Sequence, residues 1–236
     1  MPSEMLHTDM TMPLDLNRPI LAIDTSTAYL SLALHFQGKT LLQHSEVGTK
    51  QSDLILPQIR VLLAEAGVSV ADLGAVVYAQ GPGAFTGLRI GTGVAQGLAT
   101  PFATPLIGVP CLDAVAYLRP NRTGVLAATD ARMGEVFYAW FDTAAHRRLS
   151  DYQVGKAAEI ALPEGVAFSD GIGNAFALAD APPFDGVAEM PTAADYLTLA
   201  LSDRYPATDA AQAELLYVRN KIALTAKEQA ERKATR

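Results

Sequence analysis

The two halves of this chain carry the same order of apolar segments and turns, and that repetition limits the available folds more than any single motif. Residues 20–24 form a short apolar run that ends in Asp24-Thr25-Ser26-Thr27. A second strand is predicted over 29–36, and the turn Gln37-Gly38-Lys39 leads into a third over 40–45. A helix follows over 52–66, because Ile55, Ile59, Leu62, Leu63 and Ala66 fall on one face and Gly67 is suited to end it. Residues 74–80 read as a buried strand, and Gly81-Pro82-Gly83 opens a second helix over 86–100. The order is β-β-β-α-β-α. It recurs as strands over 125–130 and 135–141, a third near 149–154, a short helix near Ala157, and a strand over 166–169. The loop Asp170-Gly171-Ile172-Gly173-Asn174 then opens another helix. Each half thus places an aspartate at the end of its first strand and a Gly-x-Gly turn before a later helix. Helical segments over 193–205 and 213–221 close the pattern.

The 236 residues suffice for two lobes of about 100 residues each. We expect a frayed leader over 1–17, an N-terminal lobe over 18–108, a C-terminal lobe over 109–220 and a charged, solvated tail over 221–236. At 50% hydrophobic and 18% charged, the chain is too apolar to be disordered. Its net charge of −7 argues against nucleic-acid binding by bulk electrostatics. A single cysteine fits a reducing, cytoplasmic setting. The apolar stretch 98–118 is interrupted by Pro101, Pro105, Pro110 and Asp113, which is unlike a membrane span. The acidic leader, with Glu4, Asp9 and Asp15, is unlike a signal peptide.

Duplicated β-β-β-α-β-α lobes describe an α/β architecture, the ribonuclease-H-like fold of the actin, hexokinase and Hsp70 (ASKHA) superfamily. There a nucleotide lies between the lobes, held by turns whose free N–H groups point at phosphate oxygens. Asp24, Thr25, Ser26 and Thr27 in the first lobe, with Gly171 and Gly173 in the second, are the candidate nucleotide-binding residues. Asp24 would hold magnesium through water. The alternative is ordinary turn chemistry, which favours Asp, Ser and Thr for its own reasons.

Residues 81–99, GPGAFTGLRIGTGVAQGLA, match neither a Walker A loop nor a dinucleotide fingerprint. Gly87, Gly91, Gly93 and Gly97 each cost about 1 kcal/mol relative to alanine in a helix interior. Gly87, Gly91, Ala95 and Ala99 recur every fourth residue and form a bare ridge. That ridge suits close approach by a partner helix or, equally, by the protein's own sheet. In the preceding helix, Leu54, Pro57 and Val61 add a second apolar stripe, more than a surface helix needs. Leu54, Val61, Gly87, Gly91 and Ala95 are therefore expected on or beside a helix-bundle interface.

Catalytic motifs are sparse. The histidines show no zinc-binding spacing, no Gly-x-Ser-x-Gly elbow occurs, and Cys111 in its apolar setting reads as inert core. No metal site or catalytic residue is assigned. The turn Asp130–Glu135 clusters charges that a local ion pair accounts for.

Four segments, AIDTSTAYLSLAL, QSDLILPQIRVLLAEAG, GPGAFTGLRIGTGVAQGLA and DARMGEVFYAWF, closely resemble the TsaB (YeaZ) family. The match runs in order from Ile20 to Phe141, then thins to Gly171 and Tyr217-Val218-Arg219. The resemblance implies a non-catalytic paralogue in the bacterial machinery that makes threonylcarbamoyladenosine in tRNA, beside the anticodon. In such a system a separate enzyme makes threonylcarbamoyl-adenylate from threonine, bicarbonate and ATP. The histidine-metal paralogue TsaD transfers the threonylcarbamoyl group, and the ATPase TsaE joins the complex. The resemblance further implies pairing with TsaD through N-terminal-lobe helices, a homodimer as the other use of that face, and contact with tRNA only through the complex. ATP or ADP with magnesium, at the interlobe cleft or the partner interface, stays open. A small-molecule phosphotransferase or ATPase of the same superfamily is the alternative function.

Overall fold

The computed structural model describes residues 14–218. Residues 1–13 of the expected 1–17 leader and the whole of the expected 221–236 tail lie outside these residues, while Leu14 packs against the first sheet's core. The first sheet has the order β11-β5-β4-β1-β2-β3. It contains β1 (Ile20–Asp24), β2 (Tyr29–Phe36), β3 (Lys39–Glu46), β4 (Ala75–Gly81), β5 (Leu106–Pro110) and β11 (Ala207–Thr208). The β1–β2–β3 meander is antiparallel, and β4 and β5 add to β1 in parallel. Helices α1 (Gln51–Glu65) and α2 (Phe85–Ala99) lie together on one face.

Alternation along the strands builds these layers. Leu21 and Ile23 of β1 point toward α1 and α2 and pack with Ile55, Ile59, Leu62 and Tyr78. Ile20 and Ala22 point the other way, toward Tyr196 and Leu197 of α4 (Ala193–Ala200). Gly67, at φ +69°, ends the α1 region in the left-handed conformation, as the sequence predicts.

The second sheet has the order β10-β6-β7-β8, with β9 also paired to β7. Its strands are β6 (Thr123–Arg132), β7 (Glu135–Asp142), β8 (Arg147–Arg148), β9 (Gln153–Gly155) and β10 (Asp170–Ile172). One face packs on α3 (Cys111–Ala116), and the other buries Trp140 edge-on against Phe168 and Phe184. Helix α3 is buried on two sides: Cys111 and Ala114 join the first sheet's core, Leu112 and Val115 the second's. The apolar stretch 98–118 is therefore explained largely by β5, an interior strand of the first sheet, and α3, which is buried between the two sheets' cores. No helix among the described residues is long and apolar enough to cross a membrane.

The second lobe departs from the predicted repeat. Its third strand is split into β8 and β9, and its two internal helices are single 3-10 turns, Ala157–Glu159 and Asn174–Ala177. The strand expected over 166–169 lies instead at Asp170–Ile172, and Phe168 packs edge-on against Trp140. The helix expected over 193–205 stops at Ala200; Asp203 is left-handed and Pro206 cannot continue a helix. Residues 213–218, expected to be helical, run as an irregular segment beside α2 and β4, where the Leu216 amide donates to the Gln80 carbonyl at 2.8 Å.

Candidate functional site

The β1–β2 turn and the outward face of α1 and α2 are the two places where the sequence concentrates its unusual residues. Asp24, Thr25 and Ser26 are each less than a tenth exposed. The Ser26 amide donates to Asp24 Oδ1 at 2.8 Å, closing the turn on itself. Thr25 Oγ1 donates to the Gly87 carbonyl at 2.7 Å, and the Ala84 amide donates to the Ser26 carbonyl at 2.8 Å, so the start of α2 is seated on the turn. Gln51, at the start of α1, donates through Nε2 to the carbonyls of Thr27 at 2.9 Å and Tyr29 at 2.7 Å. Thr27 Oγ1 accepts from the Tyr29 amide at 3.1 Å.

Cys111 and Tyr196 close over this turn from α3 and α4. Burial lifts the Asp24 carboxyl above the ordinary carboxylate range, although the Ser26 amide and hydroxyl pull it down. Burial, with the nearby Asp24 charge, pushes the Cys111 thiol up to about 12. The Tyr196 hydroxyl is likewise held well above its usual value, first by burial and then by Asp24. The second lobe's loop is engaged in the same way. The Gly173 amide donates to the Val187 carbonyl at 3.0 Å, and the Asn174 amide points at Met190 Sδ at 3.3 Å.

These contacts bear on the phosphate-site expectation for Asp24, Thr25, Ser26, Thr27, Gly171 and Gly173. A phosphate turn offers free N–H groups, whereas the Ser26 and Gly173 amides and the Thr25 hydroxyl are bonded within the protein. A Cβ on Gly83 would lie 2.8 Å from the Ser26 carbonyl oxygen, and one on Gly173 would lie 2.1 Å from that of Ala128. A Cβ on Gly171 would meet the Phe176 ring at 2.5 Å. The Ser26 amide and the Thr25 hydroxyl are taken up by the turn and α2, which counts against a magnesium-bound phosphate there. Gln51, Cys111 and Tyr196 escape the sequence pattern, because each reads as an ordinary helix or core residue and only the fold brings it to the β1–β2 turn.

The helix ridge resolves in favour of the protein's own sheet. A Cβ on Gly87 would fall 2.0 Å from the Thr25 carbonyl oxygen, and one on Gly91 would fall 2.4 Å from Thr25 Oγ1. Ala95 is fully buried. Gly87, Gly91 and Ala95 therefore face inward, and the interface expectation for them is corrected. Leu54 is half-buried against the α1–α2 core, and Val61 stands outward at 56% exposed. The sequence stripe omits Leu56, which is 54% exposed on the same helix. Gly93 and Gly97 complete the outward face: a Cβ on either would meet nothing within 4 Å. Between β3 and α1 lies a groove of about 410 Å³ lined by Gln43, His44, Ser45, Pro57, Gln58 and Val61.

Comparison with known proteins gives a consistent result. The family described as TsaD, tRNA N6-adenosine threonylcarbamoyltransferase, matches residues 45–185. The tRNA threonylcarbamoyladenosine biosynthesis protein TsaB of Escherichia coli (strain K12) is 46% identical over 124 residues, covering 51% of this chain and 53% of that protein. The TsaB protein of Haemophilus influenzae is 37% identical over 126 residues, covering 52% and 53%. The chain spans about half the length of these curated relatives. Among solved structures, YeaZ from Pseudomonas aeruginosa superposes with a TM-score of 0.75 at 32% identity, over 85% of this chain and 99% of that one.

Proposed function

The chain belongs to the TsaB (YeaZ) family, and we propose that it serves tRNA threonylcarbamoyladenosine biosynthesis as a non-catalytic subunit paired with a TsaD-like catalytic paralogue. The outward face of α1 and α2 carries this reading. Leu56 and Val61 offer exposed apolar side chains, while Gly93 and Gly97 leave the neighbouring helix bare. Both helices rest on one sheet face, so a partner helix could seat against both at once. Burying Leu56 and Val61 fully would contribute about 1 kcal/mol or more each, and bare glycines allow close backbone approach. A TsaE-like ATPase would join at the edge of this pair, and a homodimer would use the same face.

The engaged state of Asp24 supports assigning the chemistry to the partner. A phosphotransferase or ATPase working from Asp24 and Thr25–Thr27 needs those groups free, and their internal hydrogen bonds count against it. The test is reconstitution of threonylcarbamoyl transfer to tRNA from purified components. Transfer should require this chain together with the TsaD-like subunit and persist with Asp24→Asn. Substrate-dependent ATP turnover by this chain alone, abolished by Asp24→Asn, would reverse the assignment.

A further inference from the structure

The two edges of the first sheet differ. At one end stands β11, a strand of two residues directly after Pro206, and an edge so short offers little to pair with. At the other end stands β3, eight residues long, with no proline, no glycine and no bulge in its pairing with β2. A long, regular edge of this kind is a template for another strand. The two-residue turn Gln37-Gly38, left-handed at both positions, makes the flanking Phe36–Lys39 pair a hydrogen-bonded one. Bonding alternates from there, so Lys39, Leu41, Gln43 and Ser45 direct their backbone groups to β2. Thr40, Leu42, His44 and Glu46 direct theirs outward. Leu42 is 47% exposed. Lys39 and Glu46, exposed at opposite ends of the strand, have no ion-pair partner among the described residues. Along the α1 side of this edge runs the groove lined by Gln43, Pro57 and Val61, where Gln58 Oε1 is buried without a partner among the described residues.

We propose that β3 pairs antiparallel with β3 of a second copy of this chain, continuing the sheet across a two-fold axis. An axis at Gln43 sets Thr40 opposite Glu46 of the second copy and Leu42 opposite its His44. In that register every outward-facing backbone group from Thr40 to Glu46 meets one of the same kind of pair. A strand of any sequence satisfies those main-chain groups, and charge is what selects a copy. Antiparallel pairing brings Lys39 of one strand to the Glu46 end of the other, at both ends of the interface. A parallel pairing brings like ends together instead. At the axis, the Gln43 amide of the second copy also supplies a donor beside Gln58. The contact leaves Leu56, Gly93 and Gly97 uncovered, so it is separate from the outward face of α1 and α2 and holds whichever subunit occupies that face.

The experiment is sedimentation velocity of the full chain across the micromolar range, where wild type should show a reversible monomer–dimer equilibrium. Lys39→Glu and Glu46→Lys should each weaken the dimer about fivefold, because like charges then meet at both ends. The double variant Lys39→Glu/Glu46→Lys restores opposite charges and should return to within about twofold of wild type. Leu42→Pro removes an outward N–H while sparing the bonds to β2, and should weaken the dimer more than about tenfold. Leu56→Asp, away from this edge, should leave it unchanged. Gln43→Cys should form an intermolecular disulfide on mild oxidation, since residues facing each other in a non-bonded pair stand about 4.5 Å apart at Cα. Cys111 is buried and does not compete. Circular dichroism checks that each variant is folded. A chain that stays monomeric throughout would overturn the proposal, as would a charge-swapped double variant that fails to recover or a Gln43→Cys protein that does not cross-link. So would a dimer lost with Leu56→Asp yet indifferent to Lys39→Glu and Leu42→Pro, which belongs to the α1–α2 face instead.

Discussion

Adding one methyl group at different glycines of α2 should change stability in opposite directions. In a helix interior, Gly→Ala gains roughly 1 kcal/mol of propensity. At Gly93 and Gly97 nothing lies within 4 Å of the new Cβ, so the gain should appear almost undiminished. At Gly87 the Cβ would fall 2.0 Å from the Thr25 carbonyl oxygen, a backbone atom that cannot move aside without lifting α2 from the turn. Overpacking of this kind costs about 1–3 kcal/mol. Lifting α2 also threatens the Thr25–Gly87 hydrogen bond, worth about 1 kcal/mol. Gly87→Ala should therefore be destabilising by about 1–3 kcal/mol net of the propensity gain, and Gly91→Ala should follow the same direction. In thermal unfolding of a protein this size, each kcal/mol moves the midpoint by about 2–4 °C. The double variant Gly93→Ala/Gly97→Ala should melt above wild type and Gly87→Ala below it. A Gly87→Ala protein that melts above wild type would refute the seating of α2 on the β1–β2 turn.

Two further outcomes follow from the buried cluster. Cys111, with its thiol pushed up to about 12 and its side chain buried, should resist iodoacetamide in native protein at pH 8 and react fully once unfolded, read by mass spectrometry. Because burial raises the folded-state pKa of Asp24, the folded protein holds a proton there that the unfolded chain has released. Its contribution to stability is present below the ordinary carboxylate pKa and declines as pH rises through the raised folded value. Asp24→Asn, which can still accept from the Ser26 amide, should remove that decline in urea titrations across pH; an unchanged slope would contradict the burial argument.

Apolar runs and helical spacing made most of the first lobe readable, because β1, β2 and β4 are short apolar strands buried on both faces and α1 and α2 each bury one consistent face. The second lobe was less legible. Its helices are single 3-10 turns held by contacts such as Trp140 with Phe168 and Phe184, which sequence spacing does not display. Helix α3 was hidden because burial on both sides erases amphipathic period. The glycine pattern of α2 was visible, but its direction was not. Gly87 and Gly91 look the same in sequence as Gly93 and Gly97, and only the position of Thr25 separates the packed pair from the open pair. The Asp24 turn shows the same limit, since Asp, Thr and Ser suit a phosphate turn and a closed turn alike.

The central claim is that the outward face of α1 and α2 joins this chain to its catalytic partner. Its most direct test is co-elution of the purified chain with a TsaD-like paralogue, comparing wild type with Leu56→Asp/Val61→Asp. Both positions are more than half exposed, so the variant should stay folded, with unchanged circular dichroism and melting within a few degrees of wild type. The expected result is loss of the joint peak and at least about a tenfold weaker association, as hot-spot residues at an interface centre require. A folded double variant that co-elutes as wild type does would contradict the account.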